Sequence, residues 1–225
     1  MCSDLLNLTL ISLLFSFLLL HLFLIVNDKM GCHLSSFHLP VKFFNFHHRN
    51  YSFTQDDRIQ LETFLLNIPN HCQQTIINLS KQDLVNLIRK HRLALYFSLK
   101  KQWSLTIFYE RQAIKRLQIL LPNEKDHYAF SIFYNVLSAA FLAFGQVESA
   151  IEGIQLSVVI QLKHTPTDYR NLSKNYFYLA SMYNMLQEWQ PAIEYLLKAI
   201  ETSRHMTPID EDFVCMLENE LEKTK

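Results

Sequence analysis

The stretch YFYLASMYNMLQEWQPAIEYLLKA, Tyr176 to Ala199, decides how the rest of the chain is read. Its small residues Ala180 and Ala192 stand where the two helices of a hairpin would bring their backbones closest. Leu179 sits beside Ala180, and Tyr183 follows one helical turn later on the same face. From Ala180 the marked positions Tyr183, Trp189, Ala199 and Pro208 lie at steps of +3, +9, +19 and +28. The same steps recur twice upstream. One block holds Ala94, Phe97, Trp103, Ala113 and Pro122, and the next holds Ser138, Phe141, Val147, Ser157 and Pro166. The prolines advance by 44 and then by 42.

A shared period of this length marks a helical repeat array. Each first helix carries a small residue at the crossing (Ala94, Ser138, Ala180), preceded by Leu93, Leu137 or Leu179. Each second helix answers with Thr106, Ala150 or Ala192. The proline is expected to end the second helix, because it lacks a donor and restricts the residue before it. The pattern predicts helices over Lys81–Leu99 and Trp103–Leu120, His127–Phe144 and Val147–Lys163, Asp168–Leu186 and Trp189–Arg204. A last amphipathic helix over Asp210–Lys223 turns Phe213, Met216, Leu217 and Leu221 to one side and reads as a cap. The expected fold class is all-α: an antiparallel helix-pair solenoid of about three repeats plus a capping helix, preceded by an N-terminal hydrophobic helix.

The Tyr176–Ala199 segment resembles a tetratricopeptide repeat. Leu179, Ala180, Tyr183, Trp189, Ala192 and Ala199 match the family's small and large signature positions. The second block matches through Leu137, Phe141, Gly145, Ala150 and Ile154, and the first through Leu93, Ala94, Phe97, Trp103 and Ala113. The period of 42 to 44 resembles the long repeats of the kinesin-light-chain class, which have a proline-bearing connection. The resemblance covers residues 81–208. It implies that the first helix of each pair lines a concave groove. By register that groove presents His91, Leu95 and Ser98 from block one, Asn135, Ala139 and Leu142 from block two, and Lys174, Phe177, Ser181 and Asn184 from block three. Asn135 falls where family members use Asn to grip a peptide backbone, and an amide that both donates and accepts suits that task. Lys174 and Arg170 would hold an acidic group at one end. The family's chaperone-binding carboxylate clamp is not reproduced: its positions hold His91, Leu95, Val136, Lys174 and Tyr178, of which only Lys174 fits. Tight binding of an acidic chaperone tail is therefore not expected.

Around the repeats the chain divides into residues 1–29, a hydrophobic segment; 30–58, a linker; 59–80, a degenerate helical cap broken near Pro69; 81–208, the repeats; and 209–225, the capping helix. Leu5 to Val26 has no acidic or basic side chain apart from His21. As a helix it would measure about 33 Å, enough to cross a bilayer core. A cleaved signal fits less well, because Asp4 precedes the run without Lys or Arg and no small-x-small site follows it. Lys29, Lys42 and Arg49 lie after the span, which places the repeats in the cytosol of a single-pass protein. Sequons at Asn7, Asn50, Asn78 and Asn171 point weakly the other way. If translation starts at Met30 the protein is cytoplasmic. A second apolar run, Tyr128 to Val147, carries no charge, but it sits in register with its neighbours and is expected inside the array.

Composition narrows the function. With Gly only 3 of 225 residues, there is little material for a phosphate-cradling loop or a turn-rich β fold. Lys+Arg and Asp+Glu are both 21, so no basic field exists to hold nucleic acid. Cys2, Cys32, Cys72 and Cys215 are too irregularly spaced for a disulfide framework or a zinc knuckle. Cys32 with His33, His38, His47 and His48 reads as linker chemistry rather than a metal site. No nucleophile elbow appears, and Asp210-Glu211-Asp212 suits a helix N-terminus. The expectation is a non-catalytic adaptor or scaffold that binds a protein or peptide, with no cofactor, metal or small-molecule substrate and with residues 5–26 in a membrane. Two alternatives stand beside it: a divergent repeat fragment serving as spacer or assembly subunit, and the repeat tail of a longer enzyme.

Overall fold

The computed structural model describes residues 55–164 and 167–225. The hydrophobic segment at 5–26, the Cys32/His33 cluster and most of the predicted linker lie outside these residues. Among the described residues every regular element is a helix: α1 Gln55–Leu66, α2 Asn70–Ile77, α3 Lys81–Leu99, α4 Trp103–Leu120, α5 Ala129–Ala143, α6 Val147–Leu162, α7 Tyr169–Met185, α8 Trp189–Ser203 and α9 Glu211–Thr224.

The starts of α3, α7 and α9 are set by side-chain caps. Ser80, Asp168 and Asp210 accept the backbone N–H groups of Asp83, Asn171 and Phe213, satisfying donors that the first turn leaves without partners. The corners inside the three pairs share one geometry. Lys101, Gly145 and Gln187 adopt left-handed φ values of 56°, 83° and 61°. In each corner the next amide reaches back five residues: Gln102 to Phe97, Gln146 to Phe141 and Glu188 to Tyr183, all at 2.9 Å. This is the helix-ending turn that satisfies the last carbonyls and favours glycine. Only the middle corner has glycine.

The small residues sit where two backbones meet. Ala94, Ala180, Thr106, Ala150 and Ala192 have no exposed surface, and Ser138 is buried with them. Gly153 completes the middle crossing: a Cβ there would stand 2.1 Å from the Ser138 hydroxyl. α3 packs on α4, α5 on α6 and α7 on α8, while α4 meets α5, α6 meets α7 and α8 meets α9. A polar tie crosses one of these contacts, where the buried Asn175 amide donates to Ser157 and Gln161 at 3.1 and 3.0 Å. The apolar run at Tyr128–Val147 becomes α5, and Phe130, Phe133, Leu137 and Phe141 lie in the main core. Among the described residues no helix is long and apolar enough to cross a membrane.

The proline expectation needs correction. Pro122 follows directly on the end of α4, but α8 stops at Ser203, well before Pro208, and α6 stops at Leu162. The α8 end is set by Met206, which turns back into the core, and by the Ser203 hydroxyl, which donates to the Ile200 carbonyl at 2.8 Å. The chain breaks at Pro69 into α1 before it and α2 after it, as expected from the sequence. α1 lies against α3.

Candidate functional site

The positions assigned to a groove come from α3, α5 and α7, the first helices of the three pairs. None of the ten is fully exposed: His91, Ser98, Ala139 and Lys174 are buried, and Leu95, Asn135, Leu142, Phe177, Ser181 and Asn184 are half-buried. Neighbouring elements account for this difference along the row.

At the α3 end, α1 covers the face. Phe64 stacks on Phe133 with ring centroids 5.5 Å apart and meets His91 edge-on at 5.9 Å. The His91 ring in turn lies 4.9 Å from Phe133. His91 Nδ1 is bonded to the Glu110 carboxyl on α4, at 2.8 Å from Oε1 and 3.1 Å from Oε2. Burial raises the Glu110 pKa above the ordinary carboxylate range, and His91 pulls it partly back. A second anchor fixes α1 in place: Arg89 on α3 clamps the buried Asp57 with Nε and Nη2 at 2.9 and 2.7 Å. His91 and Ser98 thus face the interior, and Leu95 is the part of this block that reaches the surface.

At the α7 end, α9 does the covering. Phe177 meets Phe213 edge-on at 6.4 Å, and the Asn184 amide donates to the Thr224 hydroxyl at 3.2 Å. The Ser181 hydroxyl donates to its own helix, at Phe177 O. Burial lowers the Lys174 pKa; Arg170 adds to this, while Asp168 and Asp210 oppose it. Tyr178 lies beside it, with burial pushing its phenol well above the ordinary range.

Of the predicted positions on α3 and α5, Leu95, Asn135 and Leu142 are half-buried and Ala139 is buried. The Asn135 amide oxygen is sealed from solvent and receives no hydrogen bond, and the same holds for Asn184 Oδ1. A desolvated acceptor without a donor costs about 1–3 kcal/mol. A main-chain N–H from a bound segment would reach it only with the Asn135 side chain turned outward.

Sequence reasoning missed Glu110, Phe64 and Thr224, while it had placed Phe213 on the apolar side of the capping helix. For Glu110 a signal existed. It stands at the register position that Ile154 and Leu196 occupy in the other two blocks, and both are buried core residues. A carboxyl at a core position demands a partner, and His91 at the facing register supplies it. Phe64 offered no comparable signal, since α1 lies outside the repeat. Neither a protein-family model nor a curated protein matches this chain.

Proposed function

We propose that residues 81–208 form a tetratricopeptide-like helix-pair solenoid that acts as a non-catalytic adaptor, binding an extended peptide along the first-helix face. The shared corners and the buried small residues at each crossing support the repeat reading. The observation that carries the binding reading is the half-buried Asn135, whose desolvated amide oxygen has no hydrogen-bond partner, in a row that also holds the half-buried Leu95 and Leu142. An Asn here pairs with main chain regardless of the peptide's side chains, and the two leucines supply apolar contact. Residues 5–26 would tether the adaptor to a membrane with the repeats in the cytosol.

The test selects binders from a random-peptide display library against the full-length chain and then measures their affinity for Asn135→Ala. Losing one or two hydrogen bonds should weaken binding roughly tenfold. Failure to find any saturable binder, or binders indifferent to both Asn135→Ala and Leu142→Asp, would sink the adaptor reading. A second reading has its own support: α1 and α9 already cover both ends of the face, as expected of a spacer or assembly subunit with no groove ligand. Self-association in sedimentation experiments, without peptide binding, would favour it.

A further inference from the structure

We propose that His71, Cys72 and His164 form a binding site for one transition-metal cation of the zinc class. The three donor atoms, His71 Nε2, Cys72 Sγ and His164 Nδ1, all lie within 4.8 Å of one another. His164 Nδ1 is 3.3 Å from His71 Nε2 and 3.3 Å from Cys72 Sγ. Zinc bonds of about 2.0–2.1 Å to nitrogen and about 2.3 Å to sulfur, at the tetrahedral angle, separate two nitrogens by roughly 3.3 Å and a sulfur from a nitrogen by roughly 3.6 Å. The two edges at His164 match these values with only a small adjustment at the sulfur, and the third, between His71 and Cys72, stays within 4.8 Å.

The surroundings fix the donors in the state a metal needs. His164 Nε2 lies 2.7 Å from the Asp126 carbonyl, which can only accept, so Nε2 carries the hydrogen. In the neutral ring the lone pair then sits on Nδ1, the atom facing Cys72 and His71. A ligating histidine fixed through its other nitrogen is the usual supporting arrangement of a metal site. The Tyr128 ring packs edge-on against His164 at 5.7 Å. His127 is close by but fully engaged. Its Nε2 donates to the Cys72 carbonyl at 2.9 Å, and its Nδ1 accepts from the Ala129 amide at 3.2 Å.

One thiolate and two imidazoles suit zinc better than a hard cation such as magnesium or calcium. Cys72 is buried and His71 exposed, so the fourth coordination position opens to water on the His71 side. The site joins parts of the chain 92 and 93 residues apart. It would clip the start of α2 to the segment following α6. This inference stands independently of peptide binding.

The experiment strips the full-length chain with chelator and titrates it with Co²⁺, following the thiolate-to-cobalt charge-transfer absorption, with Zn²⁺ as competitor. One equivalent should bind and be displaced by zinc. Cys72→Ser should abolish the band. His71→Ala, at an exposed position where misfolding is not a concern, should weaken affinity at least about tenfold with unchanged circular dichroism. Cys32→Ser should change nothing. Three results would each overturn the proposal: no stoichiometric cobalt or zinc binding, a band that survives Cys72→Ser but is lost in Cys32→Ser, or an affinity unaltered in His71→Ala.

Discussion

Glu110, which has no exposed surface, meets His91 Nδ1 with both carboxyl oxygens, at 2.8 and 3.1 Å, joining the two helices of the first pair through a buried polar contact. His91→Ala would leave the carboxyl buried without its partner and should cost about 3–5 kcal/mol. Replacing both residues with apolar ones, His91→Phe with Glu110→Leu, should recover most of that loss. Urea unfolding of the four proteins gives the cycle. The pair also predicts a pH effect. The folded-state pKa of Glu110 is raised above its ordinary value of 4.5. The folded state therefore holds the proton more tightly than the unfolded chain. The contribution of this group is fully present below about pH 4.5 and is lost as pH rises through its folded-state pKa. Glu110→Gln cannot ionise, so its stability relative to wild type should increase across that window.

The three corners provide a matched test of backbone strain. Lys101 and Gln187 hold a left-handed conformation that costs a non-glycine residue about 1 kcal/mol or more. Lys101→Gly and Gln187→Gly should each stabilise the fold by about 1 kcal/mol. Gly145→Ala should destabilise it by a similar amount, although a Cβ there meets nothing within 4 Å. Thermal melts of the three single variants check the signs. An opposite sign at Lys101 would show that its side chain contributes more than the backbone strain costs.

Gly153 and Ser138 set the closest approach of α5 and α6. Gly153→Ala should cost about 1–3 kcal/mol through overpacking against the Ser138 hydroxyl, even though alanine favours a helix by about 1 kcal/mol. Adding Ser138→Ala removes the obstructing oxygen, and the double variant should regain much of the loss. If the single variant is as stable as wild type, the crossing is looser than these distances imply.

Asp57 and Arg89 hold α1 over the first-helix face. Arg89→Lys keeps the charge but loses the two-pronged geometry. It should loosen α1 selectively, seen as faster amide exchange over Gln55–Leu66 with little change in α7 or α8. Uniform exchange acceleration throughout the protein would instead show that α1 unfolds only with the whole.

Much of this architecture is legible in the sequence because the repeat imposes it three times. The helices expected at Lys81–Leu99 and Trp103–Leu120 are found with those bounds, and the others differ by one or two residues at their ends. Small residues at Ala94, Ser138 and Ala180 announced the crossings because no larger side chain fits there. The proline rule failed for α6 and α8 because a proline marks where a helix cannot continue, not where it stops. The face was harder to read. Register assigns His91 and Lys174 to it, but α1 and α9, which lie outside the repeat, decide how much of it reaches solvent. The His71–Cys72–His164 cluster was invisible for a related reason. Its members are brought together only by the packing of a short helix against the segment after α6, and no local spacing records that.

Lys101, Gly145 and Gln187 share one backbone state and one bonding pattern, so the three corners are geometrically equivalent. Removing residues 102–145 would join Lys101 directly to Gln146, rebuilding an equivalent corner 44 residues shorter. A splice in register preserves the inward row of small residues on both sides of the joint, while a splice displaced by one residue turns that row about 100° around the helix. On the helix-pair solenoid proposed above, the reach of the protein would change by whole helix pairs.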